Sequence, residues 1–409
     1  MKRLAICLLL ALTASAQHPL TEALQKGRVA VTFEKGRVGG PGAELLRREI
    51  ASTQFFLLGE EHGTADIAEF ATALLPDAWK SGYRHVVMEV GPYSLERLEG
   101  KAPFAQVAEF NRRYPGALPF LSWKEEAQFY ATAMQLNGGR RGTVWGIDQE
   151  FILSPTAHFE RLVSLAPNAK ARGVAEELLA RSRAGEGEMR KTKNPGAVFF
   201  FNATTEDFAQ LRTAFRGASP AALQLIDALD ESREIYRLNG TSGWESNQQR
   251  SLLMKRLFGE AYRAAVVNGE AKPKVFVKLG AYHVMRGRSL TGVYDIGTML
   301  PELAAANGTR SFQLLVLPRG GYTNAHRPFS PNDDDKRAPY DPVKELPWDM
   351  KPILDAASPT EWSLFDLRPL RVPLARGKLG TLDPKLERLL WGYDAVLIVP
   401  EVRAATLFE

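Results

Sequence analysis

The sequence predicts an α/β fold: a central, mostly parallel sheet flanked by helices, with an all-α insertion acting as a cap. Three observations predict it. Short unbroken apolar runs such as Phe55-Phe56-Leu57-Leu58 and Val275-Phe276-Val277 read as strands buried on both faces. Amphipathic helical stretches alternate with these runs, as in βαβ units. Between about 155 and 268 the strand signal nearly vanishes and helical periodicity replaces it.

At 409 residues and 45% hydrophobic, the chain is long and apolar enough to bury a large core. Its N-terminus has the layout of an export signal. Met1-Lys2-Arg3 is basic, residues 4–12 are apolar, and Ala14-Ser15-Ala16 offers a small-residue cleavage site. The expectation is a signal peptide over 1–16, a single α/β hydrolase-type domain over 17–409, and an exported protein, periplasmic or secreted. No later run reaches the roughly 18 apolar residues of a membrane span. Cys7 is the one cysteine and would leave with the signal, which excludes a disulfide framework, a Cys-based zinc site and a cysteine nucleophile. The formal charge of +5, less Lys2 and Arg3, becomes +3, and no block of five basic residues occurs. Nucleic acid is therefore not an expected partner; a small-molecule or peptide substrate is.

In chain order, residues 17–50 form a lead-in with a loop at Gly36–Gly42 and a helix over 43–50. A strand over 55–58 breaks at Gly59, exposes Glu60, Glu61 and His62, and enters a helix with Ile67, Phe70, Ala71, Leu74, Leu75 and Ala78 on one stripe. A second strand, His85-Val86-Val87-Met88-Glu89-Val90, completes a βαβ unit and is expected beside the first, bringing Glu89 next to the His62 turn. Residues 93–122 read as irregular, 123–136 as a helix, and Thr143-Val144-Trp145-Gly146-Ile147-Asp148 as a third strand ending in an acid. The insertion reads as helices over 168–182, 205–215, 220–237 and 244–267, interrupted by a short strand-like run over 198–201. Strands return at 274–279 and 311–317, separated by a helix over 295–305 whose Pro301 is a candidate first-turn residue. A long polar loop over 319–348 precedes a segment at 362–367, a helix near 384–391 and a last strand over 395–399.

Ligands of open α/β sheets bind outside the carboxyl ends of the strands. There the chain repeats one pattern: Gly59-Glu60-Glu61-His62 and Gly280-Ala281-Tyr282-His283 each place a histidine three residues after a glycine that permits a sharp turn. Two chemistries follow. Without metal, His62 is a general base oriented by Glu60, Glu61 or Glu89, kept neutral by the helix N-terminus after Thr64, with Arg250 or His283 stabilising an oxyanion. With metal, His62, His283 and Glu89 hold a divalent ion whose bound water attacks. Asp148 joins either set as a rim carboxylate. Serine catalysis is not expected, since no G-x-S-x-G occurs.

At these residues the chain resembles the superfamily of erythromycin esterase-like, ChaN-like and TraB/Tiki-like proteins. Leu58-Gly59-Glu60-Glu61-His62-Gly63-Thr64 is similar to its opening Gly-Glu…His motif, Met88-Glu89 to its second-strand glutamate, and Gly146-Ile147-Asp148 to its third-strand Gly-x-Asp. Arg250-x-x-x-Met254, the strand 278–283 with its histidine, and Tyr393-Asp394-Ala395-Val396-Leu397-Ile398-Val399-Pro400 resemble later segments of the esterase branch. The resemblance implies hydrolysis of an ester, lactone or amide at a His/Glu site built from His62, Glu60 or Glu61, Glu89, His283, Arg250 and Asp148. Its other branches imply alternatives: a metal-dependent peptidase, or a periplasmic haem- or iron-uptake protein with walls from Phe199-Phe200-Phe201 and Tyr282.

Overall fold

A computed structural model describes residues 18–98, 100, 102–324 and 337–408. The expected signal peptide and the middle of the long loop lie outside the described residues. Eleven strands are present among them: β1 Arg28–Glu34, β2 Arg37–Gly39, β3 Phe55–Glu60, β4 His85–Met88, β5 Val144–Gly146, β6 Val275–Gly280, β7 Ser311–Pro318, β8 Tyr322–Asn324, β9 Arg337–Pro339, β10 Trp362–Asp366 and β11 Ala395–Val399. Nine form one sheet in the order β2-β1-β10-β11-β7-β3-β6-β4-β5, and β8 and β9 form a separate hairpin. From β11 to β5 every neighbouring pair is parallel, whereas β10, β1 and β2 add an antiparallel edge.

The apolar runs fold as their pattern requires. In β3, Phe56 and Leu58 enter the core on one face of the sheet while Phe55 and Leu57 enter the core on the other. Phe56 stacks between Phe276 of β6 and Phe312 of β7, with centroids 5.3 and 5.6 Å away. The helix Ala65–Lys80 covers the first face with Ile67, Phe70, Ala71, Leu74 and Leu75.

The topology corrects one expectation. β4 does not pair with β3; β6 lies between them, bonded to both. The βαβ connection leaves a gap that the chain fills only after the helical segment. Between β5 and β6 the structure is wholly helical, with major helices Ala169–Thr192, Pro220–Asn239 and Gly243–Val267. The first two of these and the shorter helices of the segment share an apolar cluster of their own, including Phe159, Phe200, Phe208 and Leu225. The last of the three major helices returns to the main core, where Phe258 meets Phe55 and Trp145 edge-on.

Several local readings also change. Residues 93–122, expected to be irregular, contain the helix Pro103–Arg113, opened by a proline and buried along Val107, Phe110 and Asn111. The strand-like run at 198–201 is a helical turn, Phe199–Asn202, because Phe199 and Phe200 pack among helices rather than beside a strand. β1 and β2 occupy residues read as a lead-in and loop. Pro301 does not start its helix, which opens at Ile296 under an Asp295 cap and keeps the proline inside. A proline there cannot donate to the carbonyl four residues back, and Gln313 Nε2 takes that place, donating to Gly297 O at 2.7 Å. Part of the long loop is ordered as β8, β9 and a turn of helix, Pro342–Glu345.

The stacked aromatic row predicts a large penalty for Phe56→Ala. Removing a fully buried ring between two others should cost about 3–5 kcal/mol. A lowered urea midpoint with unchanged slope would report it; an unchanged midpoint would mean the three rings do not hold the central strands together.

Candidate active site

β3, β4, β5 and β6 are parallel, so their carboxyl ends share one rim. Glu60 ends β3 and His62 follows it; Glu89 follows β4, Asp148 follows β5, and Gly280 ends β6 just before His283. The structure brings His62, Glu60, Glu89, Asp148, Arg250 and His283 together there.

Glu89 is the hub. Its Oε1 accepts from Arg250 Nη2 at 2.6 Å and lies 3.5 Å from His283 Nε2. Its Oε2 accepts from the backbone N–H of Gly280 at 2.8 Å and lies 3.5 Å from His62 Nε2. Arg250 comes from the helix Gly243–Val267 and clamps Asp148 with two hydrogen bonds, 2.9 and 2.6 Å long. A fork of this kind suits guanidinium and carboxylate geometry. His62 Nδ1 lies 3.1 Å from Glu60 Oε1, and Phe120 stacks on the ring at 4.1 Å.

The two glycines of the repeated motif do not supply turns. Gly280 has an ordinary φ of −54°, and Gly59 is not in the left-handed region either. Both are close-approach residues. A Cβ on Gly280 would stand 2.6 Å from His62 Nε2 and 3.3 Å from Glu89 Oε2; one on Gly59 would meet Ala281 Cα and Val284 Cβ, each at 3.2 Å. The motifs are also out of register by one residue, since Glu60, not Gly59, lies opposite Gly280. One residue of offset changes the face. The histidines therefore differ: His62 keeps 30% of its side chain exposed, whereas His283 keeps 11% and is tied through Nδ1 to Asp295 at 2.6 Å.

The electrostatics run against a neutral His62. Burial alone would lower the pKa of its ring, but Glu60, hydrogen-bonded to Nδ1, and the nearby Glu89 carboxylate push it up to about 10. For His283, burial is likewise outweighed by the charges of Glu89 and Asp295, giving about 9. Burial would raise the Glu89 carboxyl, yet His283 and Arg250 hold it well below its usual range. The site in the free protein is thus a lattice of imidazolium, guanidinium and carboxylate.

Glu61 lies close enough for the charges of His62 and Glu60 to act on it, but its carboxyl is not hydrogen-bonded into this lattice. It is Glu60 that touches His62, while burial pushes the Glu61 carboxyl up to about 7 in a setting that includes Tyr340, Tyr282 and Glu345. The aromatic residues considered for a haem pocket are not brought together: Phe199 and Phe200 lie in the helical cluster, and Tyr282 packs on Trp348. The residues do not fit a metal ion either. Among the described residues no three His, Cys, Asp or Glu side chains group as a metal requires. His62 and His283 face different oxygens of Glu89, and the cation already between Glu89 and Asp148 is Arg250.

Sequence reasoning missed four participants: Asp295, Phe120, Lys278 and Glu126. Lys278 Nζ lies 2.5 Å from both Glu60 Oε2 and Glu126 Oε1. Its signal was a lysine inside an otherwise apolar strand. Asp295 carried no signal beyond that of a helix cap, nor Phe120 and Glu126 beyond those of core-facing residues.

Comparison with solved structures identifies the fold. The erythromycin esterase EreC, in the open conformation of a histidine-to-asparagine mutant, matches with a TM-score of 0.61 at 14% identity, over 93% of this chain and 99% of that one. A Bacillus cereus protein matches at 0.57 and 14% identity, covering 95% of this chain and 98% of its own. A succinoglycan biosynthesis protein matches at 0.58 and 13%, covering 97% and 99%. The fold is erythromycin esterase-like. No protein-family model and no curated protein sequence matches the chain.

A group whose pKa is raised on folding adds stability below its unfolded pKa and loses that contribution as pH rises through its folded pKa. For His62 the window runs from its ordinary 6.5 to about 10. The stability gap between wild type and His62→Gln should therefore be widest at or below pH 6.5 and shrink toward pH 10, measured as urea midpoints. Gly280→Ala, which pushes the ring off Glu89, should narrow the same gap. A gap independent of pH would mean that His62 is not held as an imidazolium.

Proposed function

We propose that the chain is a hydrolase of carboxylic esters or lactones in which water is activated by His62. The observation that carries the reading is the asymmetric setting of this ring. Nδ1 is engaged by Glu60 at 3.1 Å, whereas Nε2 faces Glu89 at 3.5 Å, too long for a committed hydrogen bond. Nε2 is the nitrogen left for a water, and the His62 side chain keeps 30% of its surface exposed. The erythromycin esterase-like fold supports a hydrolase in general; the substrate class rests on the chemistry of the residues.

In this reading the neutral ring takes a proton at Nε2 as the water oxygen bonds to the acyl carbon. Glu60 holds the Nδ1–H and stabilises the imidazolium. The carbonyl π electrons move to oxygen, and the oxyanion is met by Arg250, whose side chain is 22% exposed and already bridges Glu89 and Asp148. Collapse of the tetrahedral adduct re-forms the carbonyl and breaks the bond to the leaving oxygen, which takes the proton from Nε2. Glu89 and Asp148 position the guanidinium, and His283, braced by Asp295, is a second donor beside Glu89. Because the free ring has a raised pKa, only a minor fraction is a base at neutral pH. Its basicity is high when it acts.

The protein is further proposed to be exported, on the basic, apolar and small-residue series over 1–16. Among the described residues no helix is long and apolar enough to cross a membrane.

Against a panel of esters and lactones, His62→Ala should lose at least about a hundredfold in kcat/KM. Turnover by wild type should climb with pH toward about 10, and Glu60→Gln or Glu89→Gln should move the climb to lower pH by removing a charge that holds the proton. Wild-type turnover by His62→Ala, or a rate falling over this range, would refute the base assignment. N-terminal sequencing of protein recovered from outside the cytoplasm should begin at Gln17; an intact Met1 there would refute cleavage at that site.

A further inference from the structure

β6 reads Val275-Phe276-Val277-Lys278-Leu279-Gly280 and is buried along its whole length. A lysine in its middle stands where a strand covered on both faces calls for an apolar residue. Lys278 is 3% exposed and lies over the Phe129 ring, with the carboxyl groups of Glu60 and Glu126 as its two partners; burial and the Glu60 charge push the Glu126 carboxyl up to about 7. Such a triad is a weak source of stability. Desolvation costs several kcal/mol per ion, and apolar replacement of buried charge clusters is often neutral or stabilising. Its place in the site gives it another use.

Glu60 is bound at both ends: Oε1 to His62 Nδ1, Oε2 to Lys278 Nζ. The terminal torsion of a glutamate is broad and only weakly restrained, so a carboxylate gripped by one oxygen alone can rotate and present either oxygen in a range of directions. Gripped by both, its plane is set. Glu126 holds the same ammonium at 2.5 Å. The cavity enclosed by Glu60, His62, Glu89, Phe120, Glu126 and Lys278 measures about 10 Å³, scarcely the space of one water, and leaves these groups little room to rearrange.

We propose that Lys278 is a positioning residue: by holding Glu60 Oε2 it keeps Glu60 Oε1 on His62 Nδ1, and so leaves His62 Nε2 as the nitrogen turned toward the reacting atoms. Lys278 touches neither substrate nor water in this scheme; it acts through Glu60. The inference rests on the assignment of His62 as the base, so its first readout does not involve turnover.

In protein labelled with ¹⁵N-histidine, the His62 Nδ1–H should give a downfield, slowly exchanging proton resonance, assigned by its disappearance in His62→Gln. The double variant Lys278→Met/Glu126→Leu removes the triad's charges other than Glu60 while filling the space with apolar atoms. It should lose the resonance, with kcat down about a hundredfold, the scale of misplacing a reacting group by roughly 1 Å, and KM little changed. Glu126→Gln retains the lysine, the shape and an oxygen that can accept from its ammonium, and should keep the resonance. A folded double variant that keeps resonance and kcat makes the triad merely structural and overturns the proposal. Loss of the resonance in Glu126→Gln alone overturns it as well, because Glu126 would then be the positioning group. Should the double variant not fold, Lys278→Gln is read the same way. If the resonance behaves as expected but wild type hydrolyses no ester or lactone, the hydrolase reading fails while the hold of Lys278 on Glu60 stands.

Discussion

The site depends on a carboxylate reaching a histidine across a strand that has no side chain to block it. β4 and β3 are separated by β6, so the residues that follow them start two strand spacings apart, roughly 9–10 Å. Glu89 and His62 nevertheless meet at 3.5 Å, and they meet above Gly280. A Cβ there would stand 2.6 Å from His62 Nε2, closer than contact allows, and would push the ring away. The same residue supplies the backbone N–H that fixes Glu89 Oε2. Absence of a side chain and presence of a donor are both needed, which makes the end of β6 the floor of the site.

Once Glu89 is drawn over that floor it is almost wholly desolvated, and an unpaired carboxylate in such a place would take a proton rather than stay charged. The fold answers with cations from distant parts of the chain. Arg250 arrives from the last helix of the all-helical segment, His283 from the turn after β6, His62 from the turn after β3, and Lys278 neutralises Glu60 below. The helical segment thus does more than pack its own aromatic cluster: it delivers the guanidinium that keeps Glu89 ionised and clamps Asp148 with two hydrogen bonds. Each cation is also in turn oriented by a second acid, which leaves little freedom in the assembly.

Much of this was legible in the sequence, for identifiable reasons. Apolar runs report strands buried on both faces whatever their neighbours, so β3, β4, β6, β7 and β11 were readable, and so was the concentration of His62, Glu89, Asp148 and His283 at their carboxyl ends. Periodicity carries no information about which strands touch, and the insertion of β6 between β3 and β4 went unseen. The edge strand β2 and its neighbour β1 were hidden for a related reason, since only part of each is buried and a Gly-rich stretch follows β1. Glycine was seen but misread: at Gly59 and Gly280 the demand is close approach, not a left-handed φ, and sequence cannot separate the two. Asp295 looked like an ordinary helix cap, and it is one; its second oxygen, on His283 Nδ1, is a tertiary fact.

The two Gly-x-x-His segments look equivalent in sequence and are made unequal by their register. Because Glu60 lies opposite Gly280, Gly59 turns its missing Cβ toward Ala281 and Val284 on one side of the sheet, while Gly280 turns its own toward His62 and Glu89. One histidine is then left on a half-open turn, stacked on Phe120 and bound firmly through a single nitrogen. The other is enclosed, with Asp295 on one nitrogen and Glu89 near the other. Each ring has its Nε2 3.5 Å from Glu89, so exposure is what separates them: a group that must exchange protons with a substrate needs access, and a group that must hold charge in place does not. In the proposed reading the more open His62 is the reacting histidine and the enclosed His283 the fixed one, a difference in exposure that accompanies a shift of one residue between neighbouring strands.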